Sequence, residues 1–358
     1  MWVSELRIES FRNYRQLQAR FGRGRVVVLG PNAHGKTNLM EALGVLALGV
    51  SHRDGPTRGL VQAGEQRARL EAVVERAGGA VRPAVEITAR GQKAFSVGGA
   101  PCAHLGEYLG HLNALVFSAG DVALADGEPT MRRRHLNQEI AKRRPAYLAE
   151  LSAYRRCLAQ RNAALRSSRD GLAHASVTGA FTDSLVRHGE LVLAERVAHV
   201  ARVAPLAGEI HGRLSDGAES LRVAYRATAD PGTLAAAIER SWRDDRARGM
   251  TLVGPHRDDV LLEVNGRNVR TAASRGQQKT CALALKLAEA YLDGTDPAVP
   301  LLDDVMSELD PLRRERLGEE LTRFDQFMVT GTHDGDVAPG ILRNADVRHV
   351  RSGTLIDA

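Results

Sequence analysis

The sequence predicts an α/β fold, a mixed sheet plus a parallel-sheet core, divided by an inserted and mainly helical second domain. Three stretches predict it. The β-branched run Arg25–Leu29 leads through a glycine-bounded loop into good helix formers, Asn38–Leu48. From about Glu128 to Val203 the chain is rich in Ala, Leu and Arg, with apolar positions recurring at three and four. From Thr251 onward, strand and helix patterns alternate again. The expected head is therefore discontinuous, residues 1–125 and 245–358, with the insertion at 126–244.

A length of 358 residues suits two domains, and 43% hydrophobic residues suffice for a sizeable core. Aromatics are only 4%, so that core should be aliphatic. Cys102, Cys157 and Cys281 are widely spaced and odd in number, which suggests neither a disulfide framework nor a zinc site. The start does not read as a signal peptide and no run of about 18 apolar residues exists, so a soluble cytoplasmic protein without a membrane partner is expected. The net charge of +6 permits a nucleic-acid partner without demonstrating one.

In chain order, residues 2–28 alternate like strands, with a polar-aromatic turn over Ser10–Arg15. Arg67–Arg76 and Val81–Arg90 read as a hairpin around Gly78 and Gly79. Phe95–Ala100 suggests a further turn, and Leu112–Ser118 a strand. The helical insertion follows, with a linker near Ser167–Gly179. Sheet character returns at Leu221–Thr228 and Val260–Val264. A helix over about Gly276–Leu292, the strand Val299–Leu302, a helix to Thr322 and the strand Phe327–Thr330 complete the pattern.

Gly30, Pro31, Asn32, Ala33, His34, Gly35, Lys36 and Thr37 fit G-x-x-x-x-G-K-[ST] between a strand and a helix, the setting that makes this pattern a phosphate cradle. The loop N–H groups, continuing to Asn38, would wrap a phosphate at the positive end of the helix. Lys36 would reach the β- and γ-phosphates, and the Thr37 hydroxyl would ligate Mg²⁺. The chain has only five lysines among 49 basic residues, yet one sits here, where a compact ammonium suits the chemistry.

Val299–Leu302 is an apolar strand ending in Asp303 and Asp304. Strand tips of a parallel sheet open onto the ligand crevice. Asp303 suits the Mg²⁺ site, and Asp304 could polarise an attacking water. A Ser-x-Gly turn at Ser274–Gly276 opens a helix 29 residues earlier. It could be a second anion site or an ordinary N-cap.

The order of these motifs, followed by Ser307–Asp310, a strand, Thr332 and His333, is similar to that of the ABC ATPases. Phe11–Tyr14, Gly30–Leu39, Val116–Ser118, Arg132–Arg133, Gly254–Asp259, Ser274–Gln278 and Leu301–Asp310 together resemble the RecF family, over nearly the whole chain. The resemblance implies an ABC-type P-loop ATPase head that binds ATP with Mg²⁺, dimerises on ATP, binds DNA and hydrolyses ATP slowly. It implies work with RecR and RecO in loading RecA at gapped DNA, and a nucleoid-associated location. Ser274, Gly276 and Gln277 would contact the γ-phosphate bound by the opposite subunit, and Ser307–Asp310 would cross a two-fold interface. Asp303 would serve Mg²⁺, and Asp304 would take a role often held by Glu. His333 fits the switch histidine by order. Ala33 departs from the family's usual Gly, and no Gln follows Val116–Ser118, leaving Asp121 to stand in near the metal. An ABC transporter subunit is the alternative reading, and an ATP-gated clamp whose hydrolysis is only a timer is another.

Arg12 and Asn13 are expected on a turn beside the nucleotide. Eleven basic residues fall between Thr130 and Arg169 against Glu139 and Glu150 alone, a tract suited to sequence-blind phosphate contacts with duplex DNA or a single/double-strand junction. Arg143, Arg144, Arg155, Arg156 and Arg161 are its expected DNA-binding residues.

Overall fold

A computed structural model describes residues 1–53, 55–169, 175–292 and 297–357. In chain order the elements are β1 (Trp2–Phe11), β2 (Tyr14–Arg20), β3 (Gly24–Leu29), α1 (Lys36–Leu48), β4 (Arg67–Glu75), β5 (Pro83–Thr88), β6 (Lys93–Val97), β7 (Ala100–Pro101), α2 (Leu105–Tyr108), β8 (Ala114–Phe117) and α3 (Ala123–Asp126). The insertion brings α4 (Pro129–Arg143), α5 (Ala146–Arg169) and α6 (Ala175–Leu214), then β9 (Leu221–Arg226), α7 (Leu234–Arg240) and α8 (Trp242–Arg248). The chain closes with β10 (Asp259–Val264), β11 (Arg267–Asn268), α9 (Val269–Ala272), α10 (Arg275–Tyr291), β12 (Val299–Leu302), α11 (Pro311–Leu321), β13 (Gln326–Gly331), α12 (Pro339–Leu342), β14 (Asp346–Arg351) and β15 (Thr354–Asp357).

Among the described residues three sheets result. The central one has the order β15-β14-β3-β13-β12-β8, parallel except at the β14–β15 edge hairpin. Its inner strands β13 and β12, with β8 and the Val26–Leu29 part of β3, are buried on both faces, which is why they read as continuous apolar runs, whereas β14 and β15 of the edge hairpin are partly exposed. Successive side chains point to opposite faces. On β3, Val26 and Val28 enter a core shared with α1 and the β1–β4 sheet. Val27 and Leu29 enter the core shared with α4, α6 and α10. β8 divides the same way, Ala114 and Val116 to the first core and Leu115 and Phe117 to the second.

The second sheet is antiparallel, β2-β1-β4-β5-β6-β7, and the third is β11-β10-β9. Only β3 of the three N-terminal strands joins the central sheet; β1 and β2 form the edge of the antiparallel one. Helices α7 and α8 and the β14–β15 hairpin carry little periodicity and were not anticipated. The division expected between residues 244 and 245 cuts the third sheet, because β9 before it pairs with β10 after it from Val264–Leu221 to Asp259–Arg226. The expected linker at Ser167–Gly179 is taken up at its ends by α5 and α6, and residues 170–174 lie outside the described residues.

Gly254–Asp259 fastens insertion to head. Asp259 forms a two-point pair with Arg132 on α4 (2.8 and 3.0 Å). The Asp258 carboxylate accepts from Tyr225 and Thr228, and Arg196 on α6 donates to the Pro255 carbonyl. Tyr154 on α5 and His256 are 2.6 Å apart.

Candidate nucleotide site and basic tract

The phosphate loop joins β3 to α1 at the end of the central sheet. Helix α1 begins with no side-chain cap, so its first N–H groups remain available to an anion. Gly35 sits at φ +120, and an added Cβ would lie 2.8 to 3.1 Å from the Asn13 amide and the Tyr14 hydroxyl. Those two side chains brace the loop: Asn13 Nδ2 donates to the His34 carbonyl (3.0 Å), and Tyr14 Oη donates to the Gly35 carbonyl (3.0 Å). Asn38 Nδ2 donates to Asn13 Oδ1 at 2.8 Å. From the opposite side, Ser352 N donates to His34 Nδ1 and Gly353 N to the His34 carbonyl. Ala33 takes a left-handed φ of 66, the conformation that favours glycine.

Lys36 is 3% exposed and its Nζ donates to the Gly30 carbonyl at 2.7 Å, with the Pro31 carbonyl and Asn32 Oδ1 at 3.4 Å. Asp304 Oδ2 lies 3.7 Å away. Parallel pairing of β12 with β13 and β8 brings Asp303 to the same end of the sheet. Asp303 Oδ1 accepts from Thr37 Oγ1 (3.2 Å) and Thr330 Oγ1 (3.1 Å). Burial raises the Asp303 carboxyl above its ordinary value and Asp304 adds to the rise, while the hydrogen bond from Thr37 opposes it. Asp304 has a left-handed φ of 53 and a half-exposed carboxylate, whose Oδ1 lies 3.4 Å from the same Thr330 hydroxyl.

Other expected residues fall elsewhere. Arg12 is tied to the helix after the loop, its Nε and NH2 pairing with buried Glu41 on α1 at 2.9 and 2.6 Å. Asp121 is already engaged. Its Oδ1 pairs with Lys286 (2.7 Å), and its Oδ2 accepts from Ser118 N and Oγ (2.7 and 3.1 Å). Burial would raise its carboxyl, but Lys286 and the Ser118 bond hold it below the ordinary range, a structural use that displaces the expected metal role. His333 is 71% exposed and lies 3.6 Å from Asp336; with Gly30, Pro31 and Arg351 it lines a cleft of about 490 Å³ beside the loop. Ser274 caps α10, its Oγ accepting from Gln277 N while Gln277 Oε1 accepts from Ser274 N.

The basic tract divides. Arg161 is fully buried, bound to Asp245 (2.8 Å), Thr251 (2.7 Å) and Thr182 (3.1 Å). Arg143 is 11% exposed, bound to Glu139 and the Glu289 carbonyl. Both are therefore corrected from DNA contacts to interior ties, since helical spacing placed them on the core side of α5 and α4. Arg132 and Lys142 are buried in the same manner. Arg155 and Arg156 are exposed on α5, and exposed Arg144 pairs with Glu195.

The chain matches the RecF/RecN/SMC N terminal domain family over residues 2–354. It is 38% identical to the DNA replication and repair protein RecF of Synechococcus sp. (strain JA-3-3Ab), covering 99% of this chain and 97% of that one. With the protein of the same name from Bacillus subtilis (strain 168) it shares 36% identity, covering 99% and 100%. The chain belongs to the RecF family. Among solved structures, that of the recombination mediator protein RecF with ATP in the RecFOR pathway superposes with a TM-score of 0.88 at 27% identity, covering 100% of this chain and 97% of that one. An Smc head domain from Pyrococcus furiosus gives 0.59 at 16% identity, covering 100% and 96%, which shows the fold alone. The fold is accordingly that of an ABC/SMC-class ATPase head, and a transporter subunit is not favoured.

The residues present fit ATP with Mg²⁺. An uncapped helix start faces a loop whose lysine is surrounded by acceptors, and Thr37 and Asp303 offer hard oxygen donors side by side. Among the described residues no group of three or more His, Cys, Asp and Glu gathers to hold a metal alone. A Mg²⁺ ion would thus depend on phosphate and water for its remaining ligands. Thr330 and Glu41 were missed by the sequence analysis. Thr330 is an unremarkable strand residue, whereas Glu41, an acid within the apolar run Leu39–Leu48, was a legible signal.

Proposed function

We propose that the protein is a nucleotide-switched DNA-binding ATPase of replication and recombinational repair, in which ATP completes a two-fold dimer. The carrying observation concerns Ser274–Gln277. This turn is exposed at its start, and no hydrogen bond or ion pair joins it to Gly30–Asn38 of its own chain among the described residues. The start of this turn, Ser274 to Gly276, is therefore presented outward, with Gln277 N already capped by Ser274 Oγ, and a second copy's bound nucleotide could meet it there. Lys36 would hold the β- and γ-phosphates, and Thr37 and Asp303 would hold Mg²⁺. When bound, Mg²⁺ supplies charge neutralisation at the phosphates. Asp304 would orient the attacking water and His333 would face the γ-phosphate from the loop after β13. Gly30–Asn38 would supply backbone donors, with Asn13 bracing them.

ADP lacks the bridging phosphate, so hydrolysis would loosen the dimer. Arg155 and Arg156 would contact the DNA backbone, with Arg144 nearby in sequence. RecR, with RecO and RecA, would be the partners at gapped DNA in the cytoplasm and nucleoid; the chain is similar to a RecF described in the RecFOR pathway. Among the described residues no helix is long and apolar enough to cross a membrane.

Sedimentation with ATP, with ADP and with neither, on and off DNA, tests this reading. Dimers should appear with ATP alone, and Ser274→Arg should abolish them while monomer ATP affinity is kept. Dimers that survive Ser274→Arg would overturn the composite site.

A further inference from the structure

Glu219 lies in the connection between α6 and β9, within the inserted segment and far in sequence from every nucleotide motif. Its carboxylate is mostly buried and collects donors from three elements. Gln277 Nε2 on α10 donates to Oε1 at 3.0 Å, and Arg313 NH2 on α11 donates to the same oxygen at 3.0 Å. His211 Nε2 on α6 lies 3.1 Å from Oε2.

The consequences reach Ser274. The Gln277 amide has two ends, and with its NH₂ given to Glu219 its Oε1 is turned to accept Ser274 N at 2.9 Å. Without that anchor the amide could rotate, and the capping turn would lose one of its two reciprocal bonds. Arg313 acts in parallel. Its NH1 donates to Thr280 Oγ1 (2.6 Å), which itself donates to the Gly276 carbonyl (2.9 Å). Its Nε lies 3.3 Å from Asp310 Oδ2, the carboxylate that caps α11. Gly276 leaves room for this crossing, since an added Cβ would lie 3.3 Å from Arg313 NH1. One carboxylate thus locks the Ser274 turn and the Ser307–Asp310 segment to each other and to the insertion.

We propose that Glu219 is a positioning residue for ATP-driven dimerisation: it holds the Ser274 turn and the Asp310 cap as one rigid surface for the second copy's nucleotide and couples that surface to the inserted domain. This rests on the composite-site reading above. A carboxylate with an arginine and two neutral donors around it in a mostly buried setting is worth enough for its loss to be measurable in association.

The test is Glu219→Gln, which keeps volume but cannot accept from both donors with a charged oxygen. Nucleotide affinity of the monomer should stay within about twofold, because Gly30–Thr37 is untouched, whereas the ATP-driven dimer should weaken by about tenfold, the equivalent of one charge-assisted bond. A second variant, Arg313→Lys, keeps the positive charge but cannot reach Glu219, Thr280 and Asp310 together, and it should weaken the dimer similarly. Association within twofold of wild type in both variants overturns the proposal, as does a parallel loss of monomer nucleotide affinity, which would mark Glu219 as a general fold residue. Ser274→Arg is the control: if that variant still dimerises, the composite site itself fails, independently of Glu219.

Discussion

Thr37 Oγ1 donates to Asp303 Oδ1 at 3.2 Å, joining residues 266 positions apart. The first lies at the start of α1 and the second at the tip of β12, one strand removed from β3 across β13. Sheet order therefore creates the pair, and burial raises the Asp303 carboxyl until a cation arrives. Asp303→Asn should raise the Mg²⁺ concentration needed for half-maximal ATP hydrolysis on the order of tenfold to a hundredfold, the scale at which groups around metal sites act. A titration of activity against Mg²⁺ reads this directly, and an unchanged midpoint would remove Asp303 from the metal site.

Arg161 and Asp245 form a buried ion pair between α5 and α8, so Arg161→Ala strands a carboxylate in the interior. Such losses cost about 3–5 kcal/mol, and urea unfolding should show a drop of that order. Arg155→Glu with Arg156→Glu should leave the urea midpoint almost unchanged but weaken DNA binding at every sequence and flatten its salt dependence. The reverse pattern would exchange the assignments.

Ala33 carries a left-handed backbone where glycine is at ease. Ala33→Gly should relieve about 1 kcal/mol of strain, partly offset by the greater entropy of the unfolded chain, for a small net gain in stability. ATP affinity measured on the same variant should be essentially unchanged, because the loop keeps its N–H groups.

His256 accepts from Tyr154 at Nδ1 while its Nε2 donates to the Thr251 carbonyl at 2.9 Å. Burial, the larger cause, holds its pKa down at about 4 from the ordinary 6.5. The unfolded chain therefore binds a proton below pH 6.5 that the native state refuses until about pH 4. Stability should be fully present above pH 6.5 and fall as pH drops through this window, by at most about 3 kcal/mol. His256→Gln should flatten that part of the stability–pH curve in urea titrations.

Much of the site was legible. The strand before Gly30, the helix after Thr37, the apolar run ending at Asp303 and the cap at Ser274 are local patterns. Each is dictated by side-chain volume, β-branching or capping chemistry within a few residues. Asp121, Arg143 and Arg161 were misassigned because charge alone does not say which way a side chain points. Each found an opposite charge or carbonyl across a helix contact, with partners 84 to 165 residues away in the cases of Arg161–Asp245, Arg143–Glu289 and Asp121–Lys286.

By itself, then, the sequence determined the strongly patterned elements and their order, though not α7, α8 or the β14–β15 hairpin, together with the phosphate cradle between Gly30 and Thr37 and the carboxylates that end β12. Tertiary structure alone decided that Thr37 meets Asp303, that the Ser352–Gly353 turn braces His34, that Glu219 orients Gln277, and which arginines remain in water. The reason is physical: local patterns follow from chain geometry over a few residues, whereas the partner of a polar group is set by which elements pack together, and a buried charge is stable only where packing supplies that partner.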